Sequence, residues 1–269
     1  MRNFAIGVIV AAALLPGGFA AAQQPSPTSA PPAPPPYRGF VAKDIHPDTR
    51  LIVPPPPEAD DHRDSHDRHV FRTTRKIEGS ERWELAKRDI PYSIAAMLKN
   101  FSCAAAIDLT PENAPKLADL LTRVGADAVV QLNLAKDHFK RKRPYFVDEG
   151  QVCAPRTASL DGSFDYPSGH TSWGWTIGLI LAELLPDHTT EILMRARSFG
   201  ESRVICGVHN ASAIEAGRTL GSIVVARLHG SAEFRAALEQ VRMEVNALAK
   251  AEPKSSCSMQ AELIRKTPY

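Results

Sequence analysis

Three short stretches place basic side chains and histidines where they could bind and attack an oxyanion. The first, Lys136 to Pro144, reads K-D-H-F-K-R-K-R-P, and its Lys136 and Arg143 are seven residues apart. That spacing is two helical turns, so we expect both cations on one face of a helix that Pro144 ends. Taken alone, the stretch is also typical of a solvated basic helix end.

The second stretch is D-Y-P-S-G-H-T-S, Asp165 to Ser172, where Pro167 and Gly169 predict a turn that leads into an apolar helix. Backbone N–H groups near Ser168, Gly169 and His170 would then face an anion at a helix N-terminus, where negative charge is favoured. The serine does not fit a G-x-S-x-G hydrolase elbow, because the residues two positions before and after it are not glycine. An ordinary N-cap beside a surface histidine is the alternative.

In the third stretch Arg203 precedes His209 by six residues, across a break at Cys206 and Gly207. Alone, it fits a packed or surface histidine as well as a reactive one. Together, the three stretches supply three cations, a turn of backbone donors and two histidines. The cations would neutralise the oxygens of one phosphate-sized anion, while one histidine attacks phosphorus and the other protonates the leaving oxygen.

The elements that must position these groups are predicted to be helices. From about residue 59 the apolar residues recur at intervals of three and four, and convincing period-two strands are absent. We predict an all-α protein with a single helical-bundle domain over residues 59–251. The apolar stripe of one long helix is Leu117, Leu120, Leu121, Val124, Ala128 and Leu132.

Capping and breaking residues predict where the helices begin and end. The long helix has its start signal between Thr110 and Asn113. A buried helix over 173–185 is stopped by a proline, and Asp187 caps the next helix, which runs to about Gly200. A helix over 209–229 follows, and Ser231 caps the last one.

Residues outside the bundle indicate export. Residues 1–22 combine one charge, an apolar run and a small-residue cleavage pattern, which predicts a signal peptide and a periplasmic or secreted protein. Residues 23–58 form a proline-rich extended segment, and residues 252–269 a C-terminal tail. No later segment is long and apolar enough for a membrane span.

Charge and cysteine content limit the partners. The net charge of +2 gives no indication of nucleic-acid binding. Four cysteines, Cys103, Cys153, Cys206 and Cys257, predict one or two disulfides in an oxidising compartment, with three pairings open. The sequence is compatible with a monomer or a homo-oligomer.

Lys136-x6-Arg143-Pro144, the P-S-G-H turn and Ser202-Arg203-x5-His209 resemble, in order, the three-part motif of the type 2 phosphatidic acid phosphatase superfamily. The surrounding F-S-C-A at Phe101 and S-R-V-I-C-G at Ser202 are similar to the class A bacterial non-specific acid phosphatases of the periplasm. The resemblance implies an all-helical fold shared with vanadium-dependent haloperoxidases, and hydrolysis of small phosphomonoesters without a metal or other cofactor.

The resemblance also implies a role for each matching residue. His209 would be the nucleophile that forms a phosphohistidine, and His170 the general acid. The phosphate would be bound by the other matching positions, which are Lys136, Arg143, Ser168, Gly169 and Arg203. Vanadate could bind the same pocket as a phosphate mimic.

One position departs from this family pattern, which has an aspartate four residues after the nucleophile, where this chain has Ala213. On a helix that carboxylate would share a face with His209, accept its ring N–H and stabilise the imidazolium. Its loss predicts altered activity. We expect Ser212, water or a backbone carbonyl to orient His209 instead, and the small Ala213 to let another helix approach closely.

Two alternative functions remain open at this point. A vanadate-dependent haloperoxidase would hold vanadate on His209, and a non-catalytic relative would bind phosphate without turnover. An acidic run with His62, His66 and His69 has the spacing of a metal site, but a solvated helix face explains it better, so we predict no metal.

Overall fold

The computed structural model describes residues 37–251 and 255–269. Within these ranges the regular structure is helical, without a β-strand, and the nearest feature to one is an antiparallel bridge between Ile107 and Lys250. The predicted all-α fold is confirmed. The predicted signal peptide and the proline-rich segment up to residue 36 lie outside the described residues.

The helices have the following bounds in chain order. They are α1 (Thr49–Ile52), α2 (His62–Arg75), α3 (Glu81–Arg88), α4 (Ile94–Ala105), α5 (Pro115–Phe139), α6 (Ala158–Asp161), α7 (Gly169–Leu184), α8 (Thr189–Ile205), α9 (Ala211–His229), α10 (Ala232–Ala247) and α11 (Ser255–Arg265). Short 3-10 turns occur at Pro144–Phe146 and Pro186–His188.

The long helix α5 begins at Pro115, later than predicted. The side chains of Thr110 and Asn113 each accept a hydrogen bond from the other's backbone N–H, at 3.3 and 2.9 Å. The start signal therefore closes a separate turn, since such side chains bond readily to nearby backbone. The helix starts only afterwards, with a proline in its first turn, where no N–H is needed.

Three further boundaries differ from prediction. Asp187 lies in the 3-10 turn, and α8 begins after it at Thr189 and continues to Ile205 instead of ending near Gly200. Helix α9 begins at Ala211, so His209 precedes the helix. The predicted cap of α10 is confirmed, because Ser231 Oγ accepts a hydrogen bond from the N–H of Phe234.

Helix α7 is apolar on all sides and packs most extensively against α8 and α9. Two glycines of α9 face it: a Cβ on Gly217 would lie 2.8 Å from the carbonyl oxygen of Ser168, and a Cβ on Gly221 2.8 Å from that of Ser172. Since no real Cβ comes so near a backbone oxygen, glycine is required at both positions. The two helices thereby contact each other backbone to backbone, which brings the start of α7 beside the start of α9.

Residues 37–57, here called the strap, pack on the bundle with Phe40 and Val41 in its main core. The buried Asp127 of α5 holds the strap. Its carboxylate accepts hydrogen bonds from the hydroxyl of Tyr37 at 2.5 Å and from the backbone N–H groups of Phe40 and Val41 at 2.7 and 3.1 Å. Farther along, the carbonyl of Pro54 accepts a hydrogen bond from Tyr166 at 2.6 Å, next to the P-S-G-H turn.

Two disulfides cross-link the fold, and the structure chooses among the three pairings. Cys103 of α4 is bonded to Cys257 of α11, so the C-terminal helix is tied to the bundle. Cys153 is bonded to Cys206 at the end of α8, and its N–H also donates to the Cys206 carbonyl at 3.1 Å. The second disulfide fastens the loop after Arg143 beside the connection that carries His209.

We expect Asp127→Asn to lower the free energy of unfolding by about 1–3 kcal/mol, because a neutral amide leaves buried strap donors poorly paired. Urea unfolding followed by circular dichroism measures the change. The exposed Asp119 on the same helix is the matched control, and Asp119→Asn should change the unfolding free energy by less than about 0.5 kcal/mol. Equal effects of both substitutions would show that Asp127 does not anchor the strap.

Candidate active site

The predicted site residues come from the ends of three helices and from the segments that follow two of them. Lys136 lies in the last turn of α5, Ser168 is the N-cap of α7, and Arg203 lies in the last turn of α8. Arg143 and His209 belong to the segments that follow α5 and α8. Helix ends leave backbone groups and side chains free to face a common centre.

Lys136 and Arg143 do not share a helix, contrary to the prediction. Helix α5 ends at Phe139, and Lys140 takes a left-handed conformation with φ of 49° while its N–H bonds to the carbonyl of Lys136. Arg143 then has extended backbone before Pro144. The two cations are close because the chain leaves the helix and turns, and the charge of Arg143 contributes to lowering the pKa of Lys136.

His209 is 3% exposed and both ring nitrogens have partners. Nε2 lies 3.1 Å from Nη1 of Arg143, and Nδ1 lies 3.0 Å from Oδ1 of Asp165. A guanidinium can only donate, so Nε2 must accept, and Nδ1 then carries the proton and donates to the carboxylate. The neutral ring therefore directs the lone pair of Nε2 toward the cations.

Burial lowers the pKa of His209 well below its ordinary value, and the charges of Arg143, Lys136 and Arg203 act in the same direction. Asp165 opposes them. The lowered pKa favours the neutral ring, in which the Nε2 lone pair accepts the hydrogen bond from Arg143.

The Asp165 carboxylate is fully buried, accepts hydrogen bonds from two residues and forms an ion pair with a third. Besides His209, the N–H of Asn210 donates to Oδ1 at 3.1 Å and Nδ2 of Asn210 donates to Oδ2 at 2.9 Å. Arg141 lies 3.6 Å from Oδ2. Burial raises the pKa of Asp165 above its usual value, and Arg141 and the Asn210 hydrogen bonds offset only part of this rise.

Ser212, predicted as the group that orients His209, contacts other residues. Its hydroxyl donates to Asp67 Oδ2 at 2.5 Å and accepts from Arg141 at 2.8 Å, and its N–H donates to Asp67 Oδ1 at 2.8 Å. Asp67 thus caps the first turn of α9 from α2. Asp165, and not Ser212, is the residue at Nδ1 of His209.

Arg143 is 4% exposed and is fixed by the chain around it. Its Nε donates to the carbonyls of Leu160 and Ser163, both at 3.0 Å, and Nη2 donates to Ser163 Oγ at 2.7 Å. Nη1 donates to the carbonyl of Val208 at 2.7 Å as well as to His209. The side chain therefore holds a constant orientation beside Nε2 of the histidine.

Arg203 is 2% exposed, and two of its nitrogens, Nε and Nη1, are buried without a hydrogen-bond partner among the described residues. Burial lowers the pKa of Arg203 to about 10, and the charge of Arg143 acts in the same direction. A buried guanidinium with free donors is costly unless an anion pairs with it. This group is therefore suited to bind an oxyanion.

Lys136 completes the cationic cluster, and its ammonium group donates to the carbonyl of Phe164. Burial lowers the pKa of Lys136 to about 8, with Arg143 acting in the same direction and Asp165 against it. The lysine is still mostly protonated in neutral and acidic solution.

Backbone donors at the start of α7 are only partly free. The N–H of Ser168 donates to the carbonyl of Ala213 at 2.9 Å, so it cannot also bind an anion, and the buried Ser168 hydroxyl accepts from Thr171 Oγ1 at 2.9 Å. The N–H groups of Gly169 and His170 have no acceptor within the described part of the chain. These two remain as the helix N-terminal donors.

His170 lies between Tyr92 and Phe199, whose ring centroids are 4.6 and 6.0 Å from its own. Its Nε2 lies 3.0 Å from the carbonyl of Ile90, which can only accept, so Nε2 carries a proton and Nδ1 is the nitrogen that can exchange one. Burial lowers the pKa of His170 well below its ordinary value, and Arg203 acts in the same direction.

The acidic run on α2 serves as structural support. Asp64 and Asp67 form ion pairs with Arg141 at 3.0 and 2.8 Å. In residues 37–251 and 255–269, no three His, Cys, Asp or Glu side chains are grouped so that they could hold a metal ion. His62, His66 and His69 thus form no such group.

Sequence reasoning missed Asp165, Arg141 and Asn210. Asp165 lies two residues before the proline of the P-S-G-H turn, and position 213 has no carboxylate. These two facts together were the available indication that Asp165 could take the place of the missing aspartate. The contacts of Arg141 with Asp64 and Asp67 join residues more than 70 positions apart, which no local pattern indicates.

Comparison with known proteins identifies the group to which this arrangement belongs. Residues 116–235 match the family model of the PAP2 superfamily. An acid phosphatase of Zymomonas mobilis is 39% identical over 202 residues, which cover 75% of this chain and 76% of the relative. The chain belongs to the PAP2 superfamily. The predicted family is thereby confirmed.

Other PAP2 relatives carry similar names. A non-specific acid phosphatase of Salmonella typhimurium is 35% identical, over 74% of this chain and 80% of the relative, and one of Providencia stuartii is 33% identical, over 76% and 83%. One similar solved structure is the crystal structure of the first transmembrane PAP2 type phosphatidylglycerolphosphate phosphatase from Bacillus subtilis, with a TM-score of 0.44. The two sequences are 20% identical, and the match covers 63% of this chain and 86% of that one. Among the described residues, no helix is both long and apolar enough to cross a membrane.

If the lowered pKa of Lys136 limits anion binding, Lys136→Arg should remove that limit, since a guanidinium stays protonated. For the wild type we expect the dissociation constant of inorganic phosphate to rise about tenfold more between pH 7 and pH 9.5 than for the variant. Isothermal titration calorimetry at both pH values measures it. Because both proteins bind the same ligand, its own ionisation cancels in the comparison. Parallel pH dependences would mean that Lys136 does not titrate there.

Proposed function

We propose that this protein is an exported acid phosphatase that hydrolyses small phosphate monoesters through a phosphohistidine on His209. The observation that carries this proposal is the state of His209: a neutral ring with its proton on Nδ1 and its Nε2 lone pair beside three cationic side chains. The named acid phosphatases among the relatives support the same reaction class.

In the first step a phosphate oxygen replaces Nε2 as the acceptor of the Arg143 Nη1 hydrogen bond. The released Nε2 lone pair of His209 attacks phosphorus and forms the N–P bond, while the ester P–O bond breaks. The leaving alkoxide takes a proton from His170 and departs as the alcohol. Arg143, Arg203 and Lys136 neutralise the charge on the equatorial oxygens, with the free nitrogens of Arg203 as direct donors. Gly169 and His170 add backbone N–H groups.

In the second step water attacks the phosphohistidine. His170, now neutral, takes a proton from that water as the O–P bond forms, and the N–P bond breaks to return the electron pair to Nε2. Inorganic phosphate leaves, and both histidines regain their starting states. Each step uses side chains of this chain alone, so the proposal needs no cofactor. Vanadate would bind in place of phosphate as an inhibitor.

The two histidines must be in opposite protonation states for the first step. His209 must be neutral, and burial together with the nearby cations keeps its pKa low enough for this in acid. His170 must be protonated, and its pKa is also low, so turnover should fall as the pH rises toward neutrality. A bound phosphate anion favours protonation of His170. Activity confined to acidic solution follows from this pair of requirements.

Export is part of the proposal, to the periplasm or the medium. The sequence pattern of residues 1–22 is that of a signal peptide, and two disulfides are typical of an oxidising compartment. The relatives of Salmonella and Providencia are non-specific acid phosphatases, which supports a substrate range of varied small monoesters.

His209→Ala should lower kcat for p-nitrophenyl phosphate by about 10⁴-fold or more, because the attacking atom is gone. A wild-type reaction with ³²P-labelled substrate, stopped in alkali, should leave an acid-labile label on the protein that the variant lacks. His138, exposed on α5, is the matched control, and His138→Ala should keep wild-type kcat. Full activity of His209→Ala would refute the proposal, and vanadate-dependent bromide oxidation without ester hydrolysis would favour a haloperoxidase.

His170→Ala should slow hydrolysis of an alkyl phosphate by about 10²–10⁴-fold, since its alkoxide leaves only with a proton. p-Nitrophenolate leaves without one, so the loss of kcat/KM should be at least tenfold smaller for p-nitrophenyl phosphate, and kcat/KM does not include the later attack of water on the phosphohistidine, in which His170 also acts. Steady-state rates for both substrates at acidic pH measure the difference. Equal losses would argue against His170 as the acid.

A further inference from the structure

We propose that Asp165 is the positioning residue of the nucleophile, in place of the carboxylate that the family pattern has four residues after His209. Position 213 carries alanine here, and the carboxylate function has moved to the residue before the Tyr-Pro-Ser-Gly-His sequence. This role rests on the proposed function, in which His209 attacks phosphorus. It replaces Ser212 as the expected orienting residue and predicts full rather than altered activity.

The geometry at His209 requires an acceptor at Nδ1, and Asp165 is that acceptor. Arg143 donates to Nε2, so the only neutral tautomer compatible with both contacts has its proton on Nδ1, 3.0 Å from Asp165 Oδ1. A carboxylate at this place holds the ring, selects the tautomer and stabilises the positive charge that His209 gains as the N–P bond forms.

Asp165 is itself held in one orientation. Asn210 binds both oxygens, through its N–H at 3.1 Å and its Nδ2 at 2.9 Å, and the N–H of Asp165 donates to the carbonyl of Arg141 at 2.8 Å. Asn210 directly follows the nucleophile, so the carboxylate and the ring are connected through adjacent residues. Such support around an orienting carboxylate is what a fixed catalytic geometry requires.

The charge of Asp165 is balanced from the side away from His209. The Arg141 guanidinium lies 3.6 Å from Asp165 Oδ2 and is paired with Asp64 and Asp67, which stand on α2. A buried carboxylate without such a partner would be costly and would take up a proton. Arg141 favours the ionised form of Asp165 that the histidine contact needs.

Position 213 is built for a small apolar side chain in this protein. Ala213 is fully buried in an apolar cluster with Val53, Tyr166 and Leu220. A carboxylate there would lose its hydration in these apolar surroundings. An apolar side chain at 213 therefore suits the contact with Val53 of the strap at the start of α9, while Asp165 supplies the carboxylate at His209.

The test compares Asp165→Asn with the wild type, using p-nitrophenyl phosphate and an alkyl phosphate. We expect kcat to fall about 10²–10⁴-fold, because the amide has no charge and can hold the ring in the wrong tautomer. KM should change less than about threefold, since Lys136, Arg143 and Arg203 still bind the phosphate. The matched control is Asp119→Asn, the same substitution at an exposed carboxylate of α5, which should keep wild-type kcat.

The pH profile separates positioning from a structural effect. Asp165 raises the pKa of His209, so its neutralisation should move the acidic limb of the kcat/KM profile to lower pH. Loss of folded protein lowers the whole profile without moving that limb. A wild-type kcat or an unmoved limb in Asp165→Asn, with His209→Ala inactive, would overturn the role of Asp165 alone. Activity of His209→Ala would instead overturn the proposed function.

Two further variants keep the inference testable if Asp165→Asn does not fold. Asn210→Ala removes the Nδ2 donor and should lower kcat about tenfold at nearly constant KM, and unchanged kcat would contradict the inference. Ala213→Asp restores the family pattern and should give no increase in kcat, because Nδ1 already has its carboxylate. A gain of tenfold or more would show that Asp165 does not perform this function.

Discussion

The buried contact between His209 and Asp165 is the constraint on which the rest of the site depends. A histidine ring has two nitrogens with interchangeable roles, and only a donor at one and an acceptor at the other decide which lone pair is free. Here Arg143 donates to Nε2 at 3.1 Å and Asp165 accepts from Nδ1 at 3.0 Å, and together these contacts fix the tautomer. Asn210 holds the carboxylate of Asp165 through two hydrogen bonds. The backbone carbonyls of Ser163 and Val208 hold the guanidinium of Arg143.

The cations have two effects that must be balanced. Arg143, Arg203 and Lys136 lower the pKa of His209 and so keep it neutral in acid, but they also repel one another in a buried space. The protein offsets part of this repulsion with Asp165, whose own charge is supported by Arg141 and two aspartates of α2. A bound oxyanion would complete the balance, because two nitrogens of Arg203 have no hydrogen-bond partner among the described residues.

Helix packing holds these charges at fixed distances. The backbone contact at Gly217 and Gly221 sets α9 against α7, and the Ser168 N–H to Ala213 carbonyl bond joins the starts of the two helices. Tyr166 connects the same turn to the strap through Pro54, and the strap is anchored on Asp127. The segments that look peripheral in sequence thus contribute to the position of the P-S-G-H turn.

The sequence by itself determined the helical class, the family and the residues that would meet at the site, because apolar periodicity and three ordered motifs are local patterns. It also indicated the small-residue contact of α9. Tertiary structure alone decided that Lys136 and Arg143 do not share a helix, that His209 precedes α9, and which cysteines pair. It likewise decided that Asp165 orients His209, for a carboxylate 44 positions away from the histidine can be recognised as its partner only when the folded chain brings the two together.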